Sequence, residues 1–528
     1  MGLATEFWAA MAVVPLSLWL LLILTLPTSV AFYRLYFSPL SHIPGPPFAC
    51  VSSLFLYFIC YRGIEGRALL YYHQKYNTPV LRVAPNSVSL SGGDALHPVY
   101  IARGGLPKDA RYENFRVEGH DTIFSTRDIA YRDARAKAVL PLFAPSRIRA
   151  SCETGICREL IEKFVYALRC QREEAFSARS ATRREIDILD LSSRLSIDVL
   201  TGYLFGKTYG GLEEKREEGN TSAVANNGDH QGHGNRWRDK LSATPFVLAI
   251  VAFSRFSLLP NWLFTLVFSL LMGPTLSKPD VAASLATVSR FVDSIAGAHN
   301  ERKTASDSDT YQSRLSRAGV SHQETLIQCK AAMFAGADST AVLLSTILFH
   351  LVRRPAVRKR LKEELRERQA GVDYQSLPYL QAVIREGLRL GMANPARLTR
   401  IVPSQSTGCT ISGVFLPPGT IVGAAAYVFH HNPKVFPQPF EFLPERWLAS
   451  DEETGARRLK ESDIFPYGLG SRACLGRNLA NQQLFTTVAS VVESDALDGA
   501  VTRTDRIDLI EWFNAEIKGH VLEIQWQQ

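Results

Sequence analysis

The stretch that decides the fold is Phe465-Pro466-Tyr467-Gly468-Leu469-Gly470-Ser471-Arg472-Ala473-Cys474-Leu475-Gly476. It reads as a glycine-rich turn that delivers one cysteine to the start of a helix over 475–492. A thiol at that place, beside Arg472 and Arg477, has its thiolate favoured by the helix dipole and by positive charge, which suits a nucleophile or an iron ligand. Gly470 and Gly476 are expected to let the backbone approach a flat ligand closely. Turn N–H groups would donate to the sulfur, and Arg472 would pair with a carboxylate on that ligand. Gly468 to Ala473 also satisfy a loose dinucleotide fingerprint, but that motif needs a buried strand before it and a βα unit after it. Glu461-Ser462-Asp463 and Pro466 precede it instead, so the fingerprint is set aside. A buried helix-cap cysteine with no role is the bland alternative.

Working outward, helices dominate. Apolar residues recur at three- and four-residue spacing over 186–205, 279–299, 323–353, 356–369, 377–390 and 475–492. Strand-like runs are fewer: 79–91, 410–420 with its Pro417-Pro418-Gly419 turn, and 519–525. The pattern predicts a mainly α fold with a small segregated β region, of the α+β class. A chain of 528 residues, 46% hydrophobic and 21% charged, carries enough apolar mass for a large core and is not a disordered one. Its 8 scattered cysteines are too few for a disulfide framework and favour a reducing compartment. The net charge of +8 is mild, and no nucleic acid is expected as a partner. Residues 213–235, full of Glu, Asn, Gly and His, read as a solvated loop. His230 and His233 within it lack partners in a fixed frame and are not taken as metal ligands.

Between Glu6 and Arg34 lie 27 residues without a charge, more than the roughly 20 that cross a bilayer. The expected organisation is a membrane anchor over 1–37 with its span at about 7–33, a Pro-rich connector over 38–48, and a catalytic domain over 49–528. Arg34, Arg62 and Arg67 follow the span, so the positive-inside bias places the body of a single-pass protein in the cytosol, where the sequon Asn220-Thr221-Ser222 stays bare. A second apolar stretch, 256–277, is expected to be broken by Pro260 and Gly273-Pro274 into shorter segments that dip into the bilayer surface or form core, monotopic contact being favoured over a second span.

The cysteine segment resembles the ligand loop of the cytochrome P450 superfamily of haem-thiolate monooxygenases, whose thiolate favours O–O cleavage. The resemblance makes Cys474 the iron ligand of haem b, Arg472 a propionate partner, and Gly470 and Gly476 part of the cofactor cradle. Tyr467 stands where the family usually has phenylalanine. Three further segments fall in the family's order. In Ala335-Gly336-Ala337-Asp338-Ser339-Thr340, an acid and two hydroxyls sit inside an apolar helix, costly to bury without a purpose. Gly336 and back-bonding hydroxyls are expected to loosen the helix ladder there. The resemblance assigns proton relay to Asp338 and Ser339, with Thr340 sharing the role. Glu386-Gly387-Leu388-Arg389 resembles the family's Glu-x-x-Arg, which joins the arginine of Pro444-Glu445-Arg446-Trp447. It implies a buried structural network of Glu386, Arg389 and Arg446. Arg400 matches a second propionate-binding arginine. Tyr131 to Lys137, with Pro141 to Ala144, resembles the helix that crosses one haem face and receives the reductase, and no propionate ligand is assigned in it.

The implied protein is an endoplasmic-reticulum monooxygenase that oxidises a lipophilic small molecule with dioxygen. Electrons would come from NADPH through a separate cytochrome P450 reductase, with cytochrome b5 as a further donor. The resemblance is strongest to membrane-anchored fungal members acting on secondary metabolites. Pocket walls would come from 103–127, 244–273, 333–337, 392–397 and 512–514. Two other classes stay open: a haem-thiolate isomerase or dehydratase that does not activate dioxygen, and a non-catalytic haem-binding membrane protein.

Overall fold

A computed structural model describes residues 16–176, 185–214, 240–301, 309–448 and 464–526. Its axis is the 32-residue helix His322–Arg353. The Ser321 hydroxyl caps it by accepting from the Glu324 N–H, Glu324 lies in its first turn, and His350 and Arg353 lie in its last. All ten positions from Thr340 to Phe349 are buried, so this part of the helix is wrapped on every side. Helices Ile188–Phe205, Pro279–Glu301, Pro378–Gly391 and Arg477–Glu493 pack around it. Gly336 serves this packing. A Cβ there would stand 1.9 Å from Cδ1 of Leu200 on the neighbouring helix. The expected loosening of the ladder does not occur, because the helix runs unbroken through Gly336 even though the Ser339 hydroxyl donates to the Ala335 carbonyl at 2.6 Å.

The strands described are β1 (Val80–Ala84), β2 (Ser87–Leu90), β3 (Glu185–Asp187), β4 (Arg400–Ile401), β5 (Cys409–Ile411), β6 (Val414–Leu416), β7 (Ile421–Ala424), β8 (Ala500–Thr502), β9 (Leu509–Ile510), β10 (Glu516–Ile517) and β11 (Glu523–Trp526). The main sheet has the order β1-β2-β7-β4, with β2 and β7 parallel and the other pairs antiparallel. Its own apolar core, including Leu81, Val83, Val88, Leu90 and Val422, is separate from the helical one. The β region is therefore small and segregated. Its details depart from the sequence reading. Residues 185–187 form β3 because they pair with β11, and Asp187 then caps the helix that follows. The β5–β6 hairpin turns at Ser412-Gly413, both at positive φ, while Pro417-Pro418-Gly419 leads from β6 to β7.

The apolar stretch 256–277 is not broken at Gly273-Pro274. Pro260 precedes a 16-residue helix, Asn261–Leu276, that carries Pro274 inside it. The hydroxyls of Thr275 and Ser277 donate to the Leu271 and Gly273 carbonyls around the proline. Trp262, Leu266, Leu270 and Leu271 on this helix are exposed. At the front, Leu16–Tyr36 is one helix through Pro27, and residues 7–15 of the expected span lie outside the described residues. So do the sequon, His230 and His233. Among the described residues, the helix long and apolar enough to cross a membrane is His322–Arg353, which the core buries. Gly336→Ala should destabilise the fold by ~1–3 kcal/mol through overpacking, and Leu200→Ala in the same chain should return part of that loss in a urea-denaturation double-mutant cycle.

Candidate active site

The cysteine turn is held by its own backbone. The Cys474 N–H donates to the Tyr467 carbonyl at 2.8 Å, Gly468 to Phe465 at 3.0 Å, and Ala473 to Gly470 at 3.1 Å. Arg477 begins the next helix with Gly476 as its cap, so Cys474 stands three residues ahead of the first helical turn. Of the 8 cysteines, Cys474 alone is exposed, although it lies deep in the fold and faces open interior space. Burial raises its thiol pKa. The N–H groups of Gly476 and Arg477 and the Arg477 charge act in the opposite sense, favouring thiolate.

Gly470 is also required by the chain itself, whereas a side chain at Gly476 would meet no close neighbour. Gly470 has φ +66°, and a Cβ on it would stand 1.8 Å from the Tyr100 carbonyl oxygen, so the constraint is chain against chain. A Cβ on Gly476 would meet the Cys474 sulfur at 3.9 Å, an ordinary contact. The Tyr467 hydroxyl, the atom phenylalanine lacks, donates to Asn481 Oδ1 at 2.7 Å, and burial pushes its phenol pKa up.

Four cations converge near this turn. Burial, then Arg400, Arg472 and Arg132, press the Lys108 ammonium pKa well below its ordinary value. Arg472 is lowered in turn by burial, Arg132 and Arg400. Arg400 is buried and donates to the Thr399 carbonyl at 2.8 Å and the Tyr112 hydroxyl at 3.3 Å. Arg472 reaches only the Thr126 and Arg127 carbonyls, at 3.4 and 3.5 Å. Lys108 bonds the Phe124 carbonyl, with its ammonium 4.2 Å from the Tyr112 ring centroid. Arg132 alone has a carboxylate partner, Asp133 at 2.8 Å. Like charges gathered at low exposure oppose folding, and the arrangement fits a ligand that brings two carboxylates of its own. Lys108 escaped the sequence reading because a lone loop lysine belongs to no motif. On the 131–137 helix, Arg135 is committed to Glu324 at 2.5 Å and Lys137 is exposed.

Across the site, Ala335 and Ser339 share one helix face open to the interior, whereas Thr340 is buried in the helix packing. Asp338 lies beside Ser339. Burial raises its carboxyl pKa to about 6; His520 lowers it and Glu516 raises it further. Those two residues pair at 2.9 Å, and neither carries a sequence signal.

Glu386, Arg389 and Arg446 meet behind the loop. Glu386 and Arg389 are fully buried. The carboxylate accepts five N–H groups: two from Arg389 at 2.8 and 3.0 Å, Arg446 Nε at 3.1 Å, Trp447 Nε1 at 3.0 Å and the Leu443 amide at 3.0 Å. Against the burial that would raise its pKa, Arg389 and Arg446 hold this carboxyl below its usual range. Arg389 spends its other donors on the carbonyls of His430, Pro439 and Glu441. His430 returns the contact, with Nδ1 3.1 Å from the Arg389 carbonyl and Nε2 accepting the Phe465 N–H at 3.2 Å. The network thus ends on the first residue of the cysteine segment.

Segments expected as pocket walls do gather. Tyr112, Phe115, Phe124 and Phe513 form one aromatic cluster, closest at 4.5 Å between Phe115 and Phe513. Phe246 meets Phe334 at 5.0 Å, and Asn394 donates to the Phe513 carbonyl at 2.8 Å.

A long helix bearing an acid and a hydroxyl, a loop thiol met by two N–H donors and a nest of four cations with one carboxylate partner together describe a haem-thiolate oxidoreductase. The chain belongs to the cytochrome P450 family: the family's sequence profile matches residues 44–494. It is 48% identical to the cytochrome P450 monooxygenase mfmF of Annulohypoxylon moriforme, over 94% of this chain and 96% of that one. It is 27% identical to the monooxygenase BOT1 of Botryotinia fuckeliana over 97% and 95%, and 29% identical to the N-acetyltryptophan 6-hydroxylase ivoC of Emericella nidulans over 92% of each. It is a monooxygenase of a family that carries haem on a cysteine thiolate.

Glu386→Gln would leave Arg389 buried beside a neutral partner. It should cost about 3–5 kcal/mol, read by thermal denaturation, with weaker haem retention. Asp338 has a folded pKa of about 6 against an ordinary 3.8, so its burial costs no stability below 3.8; the cost grows between the two and is complete above. Asp338→Asn should therefore raise the melting temperature at neutral pH and leave it nearly unchanged in acid.

Proposed function

We propose that the chain holds haem b through Cys474 and inserts one atom of dioxygen into a lipophilic small molecule in fungal secondary metabolism. The supporting observation is the pairing of the one exposed cysteine with the cation nest of Lys108, Arg132, Arg400 and Arg472. When bound, haem supplies the activation of dioxygen and the oxidising power. The Cys474 sulfur ligates the metal as thiolate, and the N–H groups of Gly476 and Arg477 spread its charge. The four cations would take the propionates. The Tyr112–Phe513 cluster orients an apolar substrate and excludes water.

Asp338 and Ser339 carry protons. A carboxyl with a pKa near 6 populates both of its states close to neutrality, so it can release and regain a proton in each turnover. The Ser339 hydroxyl must swing off the Ala335 carbonyl to pass one on. Thr340, buried in the helix packing, is the lesser partner. Glu386, Arg389 and Arg446 are structural.

Electrons come from NADPH through a cytochrome P450 reductase, with cytochrome b5 as a second donor. The exposed basic end of the 129–139 helix, at Lys137, is its docking surface. Residues 1–37 anchor the chain in the endoplasmic reticulum membrane, 38–48 form a stiff connector, and 49–528 form the cytosolic catalytic domain. The exposed face of Asn261–Leu276, led by Trp262, rests on the bilayer without crossing it.

The ferrous carbon monoxide difference spectrum tests this reading. A strongly red-shifted Soret band in the parent, lost in Cys474→Ala, is the expected result, and a folded, haem-loaded parent without the band would sink the assignment. Asp338→Asn should keep the band and lower reductase-driven turnover by about 100-fold or more.

A further inference from the structure

Among the described residues, Arg111 is a buried cation with no carboxylate bonded to its guanidinium. It is 5% exposed. Its guanidinium donates only to two neutral oxygens, the Arg397 carbonyl and the Ser257 hydroxyl, both at 3.3 Å, and its Nε has no partner. Asp109, two residues back, uses a carboxylate oxygen to accept the Arg111 backbone N–H at 2.7 Å and makes no ion pair with its side chain. The neighbouring Arg397 pairs through Nε with Glu65 Oε1 at 2.8 Å, both fully buried, while Arg397 Nη2 and Glu65 Oε2 have no partner among the described residues. The Cys60 thiol feels Glu65, Arg111, Ser257 and Arg397 together, so two guanidinium groups share one carboxylate in this part of the interior. Arg389, by contrast, has an acceptor for every donor and a carboxylate for its charge, whereas Arg82, like Arg111, is buried on neutral oxygens with its Nε unpartnered.

A second cation stands further out. Arg255 is half-buried, lies 4.7 Å from the Trp512 ring and donates to the Ala252 carbonyl at 2.6 Å, again without a carboxylate. The two arginines therefore flank consecutive residues, Arg255 on Trp512 and Arg111 5.2 Å from the Phe513 ring. Phe513 belongs to the aromatic cluster of the substrate pocket.

We infer that Arg111 is the residue that binds a carboxylate of the substrate, and that the substrate is a lipophilic acid whose carbon frame lies across the aromatic cluster. This rests on the proposed oxidation of a lipophilic small molecule and adds its charge. The unused Nε and the adjoining Nη form the side-on fork that a carboxylate fits. A carboxylate would also offset the burial of the guanidinium. Arg255 draws the acid toward the pocket from outside.

The test uses the full haem-loaded chain and a graded series of unbranched and phenyl-terminated carboxylic acids, each beside its methyl ester. Binding is read by calorimetry and by the ferric Soret shift. The best acid should bind about 10-fold or more tightly than its ester, a preference that Arg111→Gln removes while leaving the ester's affinity in place. Arg111→Lys should keep part of it, and Arg255→Gln should weaken acids alone, most at low salt. Acids and esters binding alike across the series, or Arg111→Gln weakening both equally, would overturn the inference. If Arg111→Gln does not take up haem, Arg111→Lys and Arg255→Gln decide, and an acid preference untouched by both overturns it. An intact carbon monoxide band without acid preference removes the Arg111 assignment alone, whereas a parent without that band removes the oxidation reading and this inference with it.

Discussion

The carboxylate of Glu386 is kept ionised at full burial, and the geometry of the site depends on it. Five N–H groups converge on its two oxygens, which is what holds a charge in the interior when burial alone would protonate it. The charge in turn fixes Arg389, whose remaining donors gather the carbonyls of His430, Pro439 and Glu441. His430 is driven neutral by burial, to a pKa of about 3, so its Nε2 is free to accept from the Phe465 amide while Nδ1 faces the Arg389 carbonyl. One ion pair thus reaches the cysteine turn through a single imidazole. A pair so fully bonded adds registry more than net stability, since desolvating both partners uses up most of their attraction.

Elsewhere the fold leaves charges deliberately unequal. Lys108, Arg400 and Arg472 crowd together with few carboxylates, and Asp338 sits in the interior with its protonated form favoured. Each of these opposes folding. The contrast with Glu386 is physical: there every donor and acceptor is matched, whereas around Lys108 charge is left over that a ligand's carboxylates would offset.

Much of this was legible in the sequence because it is local. The cysteine turn, the acid–hydroxyl run and Glu386 with Arg389 are short patterns, and the long helices announce themselves by apolar spacing. What the sequence hid is long-range. Lys108, Glu516 and His520 belong to no pattern, and only the folded chain brings Lys108 to Arg400 or His520 to Asp338. At Gly336 and Gly470 the sequence reading missed a second constraint: another part of the chain, Leu200 or the Tyr100 carbonyl, occupies the place of a side chain. A local reading sees that a side chain is missing and cannot see what stands in its place. The same limit explains Pro274, which lies inside a helix that runs on to Leu276, with the hydroxyls of Thr275 and Ser277 just after it donating to the Leu271 and Gly273 carbonyls.

The separation of scaffold from site also explains how one fold accepts different substrates. The Glu386 network makes its hydrogen bonds to Arg389, His430, Pro439, Glu441, Leu443, Arg446, Trp447 and Phe465, so most side chains on 110–115, 254–257 and 512–514 can change without disturbing it. Tyr112, bonded to Arg400, is tied to the cation nest. In this chain those positions hold two arginines and an aromatic cluster. Aromatic rings alone would suit any apolar molecule of the right shape. A buried guanidinium with an unused donor rejects most of them, because a neutral ligand placed against it leaves its charge unmatched. Selectivity at this mouth therefore comes from what Arg111 refuses as much as from what the rings attract.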